Sequence, residues 1–212
     1  MRSRGNRYKG GKRQWKEQRP SFHIFCEGEN TEPDYFNSFP ISNIAFCSGE
    51  GETTIKLVKT AIKYKREQRI TKKSKDQVWV VFDYDYDGAK QPKQKQDYNS
   101  AIAKAQANNI GVAFSNDSFE LWYLLHFQNC QAQDNRKWYN NQLSKKLDFK
   151  YGKEGNATKK MYRYLLGYQA DAIARAQSLS ENYDLENDKA YSEMNPLTTV
   201  HLLVQELNKY IR

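Results

Sequence analysis

The chain has 212 residues, 38% hydrophobic, 14% aromatic and 28% charged, which is enough apolar material for one domain, or one domain with an appendage, and too much for a disordered chain. No stretch approaches the ~18 apolar residues of a membrane span, no apolar run follows the basic N-terminus as a secretory signal would require, and three scattered cysteines (Cys26, Cys47, Cys130) exclude a disulfide scaffold and a CxxC zinc site, so a cytoplasmic setting is expected. The net charge of +9 is uneven: residues 1–19 and 59–75 each carry +7, which leaves −5 for the remaining body.

In chain order, residues 1–20 combine Gly5, Gly10, Gly11 and Pro20 with many charges and no periodicity, and read as a flexible basic arm that includes Arg13 and Lys16. Phe22 to Cys26 is a short apolar strand. A helix is expected next, with Thr31 as its cap, Pro33 in its first turn and acids matching the helix dipole. Ile44 to Cys47 reads as a second strand. A helix from Thr53 or Thr54 shows an apolar stripe of Leu57, Val58, Ala61 and Ile62, and the second basic strip (Lys63, Arg66, Arg69, Lys72 and Lys73 among it) lies on its other face and beyond. Positive charge interleaved with Tyr8, Trp15 and Tyr64 suits a polyanion partner, although a solubilising tail and a solvated helix face would look the same.

Val78 to Phe82 is unbroken apolar and reads as a central strand covered on both faces. An Ala-rich helix is expected over 97–107, a fourth strand over 111–114, and a helix apolar nearly all round, hence buried, over 118–127. The alternation predicts an α/β fold with a mostly parallel sheet between helices. The second half shows no convincing strand. Helices are expected near 136–147, 157–167 and 169–180, and a last one with Asn195 as cap, Pro196 at its first position and a stripe of Leu197, Val200, Val204, Leu207 and Ile211. The expected organisation is an arm (1–20), a catalytic core (21–130) and a helical extension packed on it (131–212).

In open parallel sheets, ligands bind beyond the carboxyl ends of the strands. Glu27 directly follows the first strand; Asp83, Asp85 and Asp87 follow the third; Asn116, Asp117 and Glu120 follow the fourth. Parallel strands would gather these acids at one edge. Carboxylates converging without compensating bases repel one another, and a hard divalent cation, Mg²⁺ or Mn²⁺, is the usual resolution. Such a site, in a body with basic strips, suits phosphodiester cleavage. Each signal alone is weak, since Asp-x-Asp after a strand and Asp87-Gly88 are also ordinary features of turns.

Four ordered motifs carry a family resemblance. Phe25-Cys26-Glu27-Gly28-Glu29-Asn30-Thr31-Glu32-Pro33-Asp34-Tyr35-Phe36, Val80-Val81-Phe82-Asp83-Tyr84-Asp85, Ser115 to Phe127, and Asn195-Pro196-Leu197-Thr198-Thr199-Val200 resemble the motifs of RloB-like (AbiLii-type) proteins, over roughly residues 21–211. The resemblance implies a Toprim-like (Rossmannoid) catalytic domain, a role in restriction-linked or abortive-infection defence against phage, and an ATPase partner protein. It assigns Glu27 to the Toprim glutamate and Asp83 and Asp85 to the Asp-x-Asp pair, and it matches Glu32 to the second acid of the Glu-Gly-x-Thr-Glu pattern of OLD-type nucleases. One departure is the pair Asp117-Ser118, where Pro and a small residue are expected; it adds Asp117 as a candidate metal ligand beside Glu27, Asp83 and Asp85.

Glu120, on an apolar helix, is either a metal ligand, or an orienter of one, or the partner of a core Arg or Lys. His23, His126 and His201 read as structural, and no Ser-His-Asp or Cys-His constellation is legible. Tyr84 and Tyr86 read as packing or stacking groups. The leading expectation is a Mg²⁺-dependent endonuclease on RNA or DNA, with Glu27, Asp83 and Asp85 on metal, Glu32, Asp117 and Glu120 assisting, and a base such as Lys90 at the transition state. Two alternatives stand beside it. One is a HAD-like phosphohydrolase with Asp85 as nucleophile and Asp87 as acid/base, which lacks the downstream Gly-Asp-x-x-x-Asp. The other is a non-catalytic nucleic-acid-binding sensor subunit.

Overall fold

The structure, a computed structural model, describes residues 19–49, 53–85, 92–131, 133–152, 157–185 and 187–211. Arg13, Lys16, Tyr86, Asp87 and Lys90 lie outside the described residues. Four strands follow one another with a helix after each. They are β1 (Phe22–Cys26), α1 (Thr31–Asn37), β2 (Ile44–Gly49), α2 (Thr54–Glu67), β3 (Gln77–Asp83), α3 (Pro92–Ala107), β4 (Gly111–Asn116) and α4 (Glu120–Leu125). The C-terminal half adds α5 (Arg136–Lys146), α6 (Ala157–Leu165), α7 (Gln169–Ser180), β5 (Leu197–Thr198) and α8 (Val200–Asn208). The sheet order is β2-β1-β3-β4-β5; the first four strands are parallel and β5 is antiparallel to β4. This is the mostly parallel, helix-flanked α/β architecture that the alternation predicts.

Side-chain alternation along the central strands divides the interior in two. Phe22, Ile24, Trp79, Val81 and Ala113 face a core built with α1 and α4 to α8. Phe25, Val78, Val80, Phe82, Val112 and Phe114 face a second core under α2 and α3. β3 sits in the middle of the sheet and is buried along nearly its whole length, as its unbroken apolar sequence requires. The α1/α4 side is aromatic. Tyr35 lies edge-on to Phe119 and to Tyr162, with ring centroids 5.8 and 5.6 Å away, and Trp122 is fully buried beside them.

Several boundaries differ from expectation. Thr31 is the first residue of α1 and is preceded by Asn30, so it does not cap the helix. α3 starts at Pro92, five residues before the Ala-rich stretch; a proline suits a first helical position, and Lys93 pairs with Asp97 one turn on at 2.5 Å. The second half does contain a strand. Leu197 and Thr198 pair with Asn116 and Ser115, after a cis Asn195–Pro196 bond, and the last helix begins only at Val200. The reason is the open edge of β4. Its unpaired backbone groups take partners from β-branched residues, with the Phe114 N–H donating to Thr199 Oγ1 at 2.9 Å and the Thr199 N–H donating to Phe114 O at 2.9 Å.

Gly111 opens β4 opposite Trp79. A Cβ at this position would fall 2.5 Å from Cε3 and 2.6 Å from Cε2 of the Trp79 ring. Gly111→Ala is therefore expected to destabilise the chain by about 1–3 kcal/mol, the cost of overpacking a well-filled interior. A shift of the urea midpoint to lower concentration with an unchanged slope checks it.

Candidate functional site

The parallel strands bring most of the predicted acids together at their carboxyl edge. A cleft of about 360 Å³ is lined by Glu27 and Glu29 after β1, Glu32 on α1, Asp83 and Asp85 at the end of β3, Glu120 on α4, and Arg136 at the start of α5. Among the described residues six acids therefore face one base there.

Strand parity decides which way each acid points. Asp83 has the parity of Val81 and faces the α1/α4 side, where it is buried among the other acids. Glu27 has the parity of Phe25 and faces α2, where Thr54 Oγ1 donates to its Oε1 at 2.9 Å. Asp85 takes a left-handed backbone (φ 48), which Asp tolerates better than most residues. Its N–H donates to Asp117 O at 2.9 Å, and its half-exposed side chain stays at the cleft. Glu27, Asp83 and Asp85 also line a second cleft, of about 570 Å³, with Thr53, Thr54, Lys93 and Tyr98. The three carboxylates thus form the partition between two hollows.

Electrostatics at the partition are those of crowded, dry anions. Burial raises the Glu27 carboxyl to about 7, opposed by the Thr54 hydroxyl and reinforced by Asp85. Burial and the neighbouring Glu32 push Asp83 well above the ordinary Asp range, with Arg136 acting the other way. Burial alone would depress the Arg136 guanidinium, but Asp83, Glu120, Asp85 and Glu32 raise it instead, so it stays charged.

Arg136 is the cleft residue that the sequence reading missed. Its Nη2 lies 2.5 Å from Asp85 Oδ1 and 3.0 Å from Asp83 Oδ2, and its Nε 3.4 Å from Glu120 Oε2. The expectation of carboxylates without a compensating base is corrected accordingly. A usable signal was present: Asn135 caps α5 through Trp138 N, and an arginine in the next position opposes the helix dipole unless acids face it. Glu120 has the arginine partner that one of its two readings expects, and it also lines the cleft; Tyr151 donates to its Oε1 at 3.2 Å.

Asp117 lies outside the cleft wall. Its Oδ2 accepts the Arg136 N–H at 2.8 Å, as a carboxylate does at the unpaired first turn of a helix. His126 and His201 are buried, and burial lowers both to about 4, so they are neutral structural groups near neutral pH. The basic strip also lies elsewhere. α2 begins beside Glu27 and runs 14 residues, roughly 20 Å, away from it. Exposed Arg66, Arg69, Lys72 and Lys73 therefore lie toward the amino edge of the sheet, with Lys63 one turn before the end of the helix.

The donor set fits a hard divalent cation in chemistry, being all oxygen with a large excess of negative charge. Asp83 Oδ1 and Glu120 Oε2 are buried without a hydrogen-bond partner, so the arginine does not satisfy the cluster. Among the described residues no three His, Cys, Asp or Glu side chains form a ready-made metal cage.

No curated protein and no solved structure matches the chain. The family model described as RloB-like protein matches residues 22–207, a span that holds every acid of the cleft and Arg136, and on that match the chain belongs to the RloB-like family.

Proposed function

We propose that the chain is a Mg²⁺- or Mn²⁺-dependent endonuclease of the Toprim type, hydrolysing phosphodiesters of RNA or DNA. One observation carries the reading: among the described residues, acids from four separate segments converge with one arginine at the carboxyl edge of a parallel sheet. Glu27, Asp83 and Asp85 would hold the cation, with Glu32 and Glu120 beside them. The bound ion would supply charge neutralisation at the phosphate and a water acidic enough to attack at neutral pH. The chain's own residues do the rest. Thr54 orients Glu27, Tyr151 and Arg136 orient Glu120, and the partition of three carboxylates keeps both hollows within reach of one phosphate. Exposed Lys and Arg at the far end of α2, with the basic arm, would hold flanking nucleic acid through its phosphates. The motif resemblance implies that the chain acts in the cytoplasm in phage defence with an ATPase partner.

The competing reading is a non-catalytic nucleic-acid-binding subunit, favoured by the Arg136 ion pairs inside the acid cluster. Incubating the purified chain with RNA and DNA in Mg²⁺, Mn²⁺ or EDTA, beside an Asp83→Asn/Asp85→Asn preparation, separates the two. The nuclease reading expects cuts that need the cation and vanish in the double variant. Cuts that persist in EDTA or in the variant sink it. Should the isolated chain cut nothing, a crystal soaked in Mn²⁺ decides: metal on Asp83 and Asp85 supports the reading, and its absence there supports the binding subunit.

A further inference from the structure

We propose that Arg136 is a built-in exchangeable counter-ion: it occupies the cation position between Asp83 and Asp85 in the resting chain and becomes the phosphate-binding residue of the cleft once those carboxylates turn to a metal. The inference rests on the metal-dependent reading above and concerns a residue outside the acid motifs.

The geometry separates a fixed part from a mobile part. The backbone of Arg136 is fixed twice, since its N–H donates to buried Asp117 and the helix that it starts is capped by Asn135. The side chain is held less completely. One nitrogen, Nη2, serves both Asp83 and Asp85, whereas Nε reaches ion-pair distance of Glu120 without an aligned hydrogen bond. About a third of the side chain, 32%, remains exposed to the cleft. A guanidinium in a purely structural buried pair uses its fork bidentately and leaves few polar atoms unmet. Here the pairing leaves buried oxygens on Asp83 and Glu120 without hydrogen bonds.

The two aspartates contacted by Nη2 are two of the three acids expected to take a divalent ion. A metal and the guanidinium therefore compete for the same oxygens. When the aspartates turn away, the guanidinium stays tethered at the cleft wall by α5. It is then a planar, permanently charged fork beside the place where a phosphate must lie, and bidentate binding of phosphate oxygens is what that group does best. Two cations of different kinds, one exchangeable and one covalently supplied, would then share the charge of one phosphate.

The test uses the full chain and two readouts other than turnover. Mn²⁺ binding is followed by calorimetry for wild type, Arg136→Gln and Arg136→Lys. Binding of a short single-stranded oligonucleotide is followed in Ca²⁺. Arg136→Gln is expected to bind Mn²⁺ roughly tenfold more tightly, because a competing positive charge is gone, and the oligonucleotide roughly tenfold more weakly. Arg136→Lys keeps the charge but not the fork, so it should bind Mn²⁺ about as wild type does and still lose oligonucleotide affinity; this variant decides the matter if the Gln protein does not fold. Wild-type Mn²⁺ binding that Arg136→Gln leaves unchanged or weakens overturns the counter-ion role alone. No Mn²⁺ binding by any of the proteins overturns it together with the metal-dependent reading.

Discussion

Asp83→Asn is expected to lower phosphodiester cleavage by roughly 10³-fold and, in the same protein, to raise the melting temperature. The first half follows from the number of jobs the carboxylate has in the proposed reaction. Asp83 stands on the partition between the two hollows and is one of the two acids that contact Arg136 through Nη2. Weakening a cation's hold forfeits several kcal/mol of transition-state stabilisation, and each 1.36 kcal/mol is tenfold in rate. The second half follows from the crowding. Buried Asp83 is pushed well above its ordinary range by desolvation and by Glu32, so its charge strains the folded chain. An amide of the same shape removes that charge, and its NH₂ can donate toward the Glu32 carboxylate while its oxygen still accepts from Arg136 Nη2. A gain on the order of 1 kcal/mol is expected, because relief of desolvation and of the Glu32 repulsion is offset in part by loss of the charge pairing with Arg136. Calorimetric melting of both proteins in EDTA, beside a cleavage assay in Mg²⁺, reads the two effects together. An Asn variant that is both inactive and markedly less stable would show Asp83 to be a structural partner of Arg136 rather than a strained member of a reactive centre.

That opposition between stability and chemistry explains which parts of the molecule were legible beforehand. β3 is plain in the sequence because a strand covered on both faces needs an unbroken apolar run, and Val78 to Phe82 is one. Glu27, Asp83 and Asp85 are plain for a related reason. An acid directly after such a run has no apolar role to fill, and parallel pairing of β1 with β3 then brings Cys26 alongside Val81, next to the acids that follow each strand. Glu120 could be placed on a buried helix, but its partner could not be named, because Arg136 lies 16 residues further on in a stretch of ordinary polar composition. Only a dipole argument marks that arginine as anomalous. The late start of α8 was illegible for a different reason. Pro196-Leu197-Thr198-Thr199 suits a helix start as well as a strand end, and the choice is made by an unpaired edge of β4 more than 80 positions away in sequence, as the Phe114–Thr199 contact records. Local pattern reports what an element needs from its surroundings and not which distant segment supplies it.

The basic strip on α2 shows the same limit with a functional consequence. Nearness in sequence does not say where its residues stand relative to the acids. A helix that returns across a parallel sheet runs opposite to its strands, so the end of α2 sits a full helix length from the edge where β1 and β3 deliver their acids. Charge reversal at Arg66 and Arg69 should therefore weaken nucleic-acid binding and its salt dependence without touching any group of the cleft.

Gly28→Ala is expected to reduce cleavage by roughly 10²-fold with little loss of stability. Gly28 follows Glu27 in the turn between β1 and α1, and its place is filled by its neighbour: a Cβ there would lie 2.8 Å from Cδ and 2.7 Å from Oε1 of Glu32, and closer still to Oε2. Real side chains do not approach so closely, so the Glu32 carboxyl must move. It has somewhere to go, because it borders an open cleft and not a packed core. The fold is therefore spared, and the penalty falls on the arrangement of acids around Asp83, whose electrostatics Glu32 dominates among its charged neighbours. A displacement of about 1 Å in a group that positions a reacting centre can cost 10²-fold in rate. Glu32→Ala should lose a similar factor, and the double variant no more than either single one, since both changes remove the same carboxylate from the same place. If Gly28→Ala instead multiplied the loss of Glu32→Ala, the glycine would be serving the phosphate or its cation directly through the backbone, and the tight approach to Glu32 would be incidental.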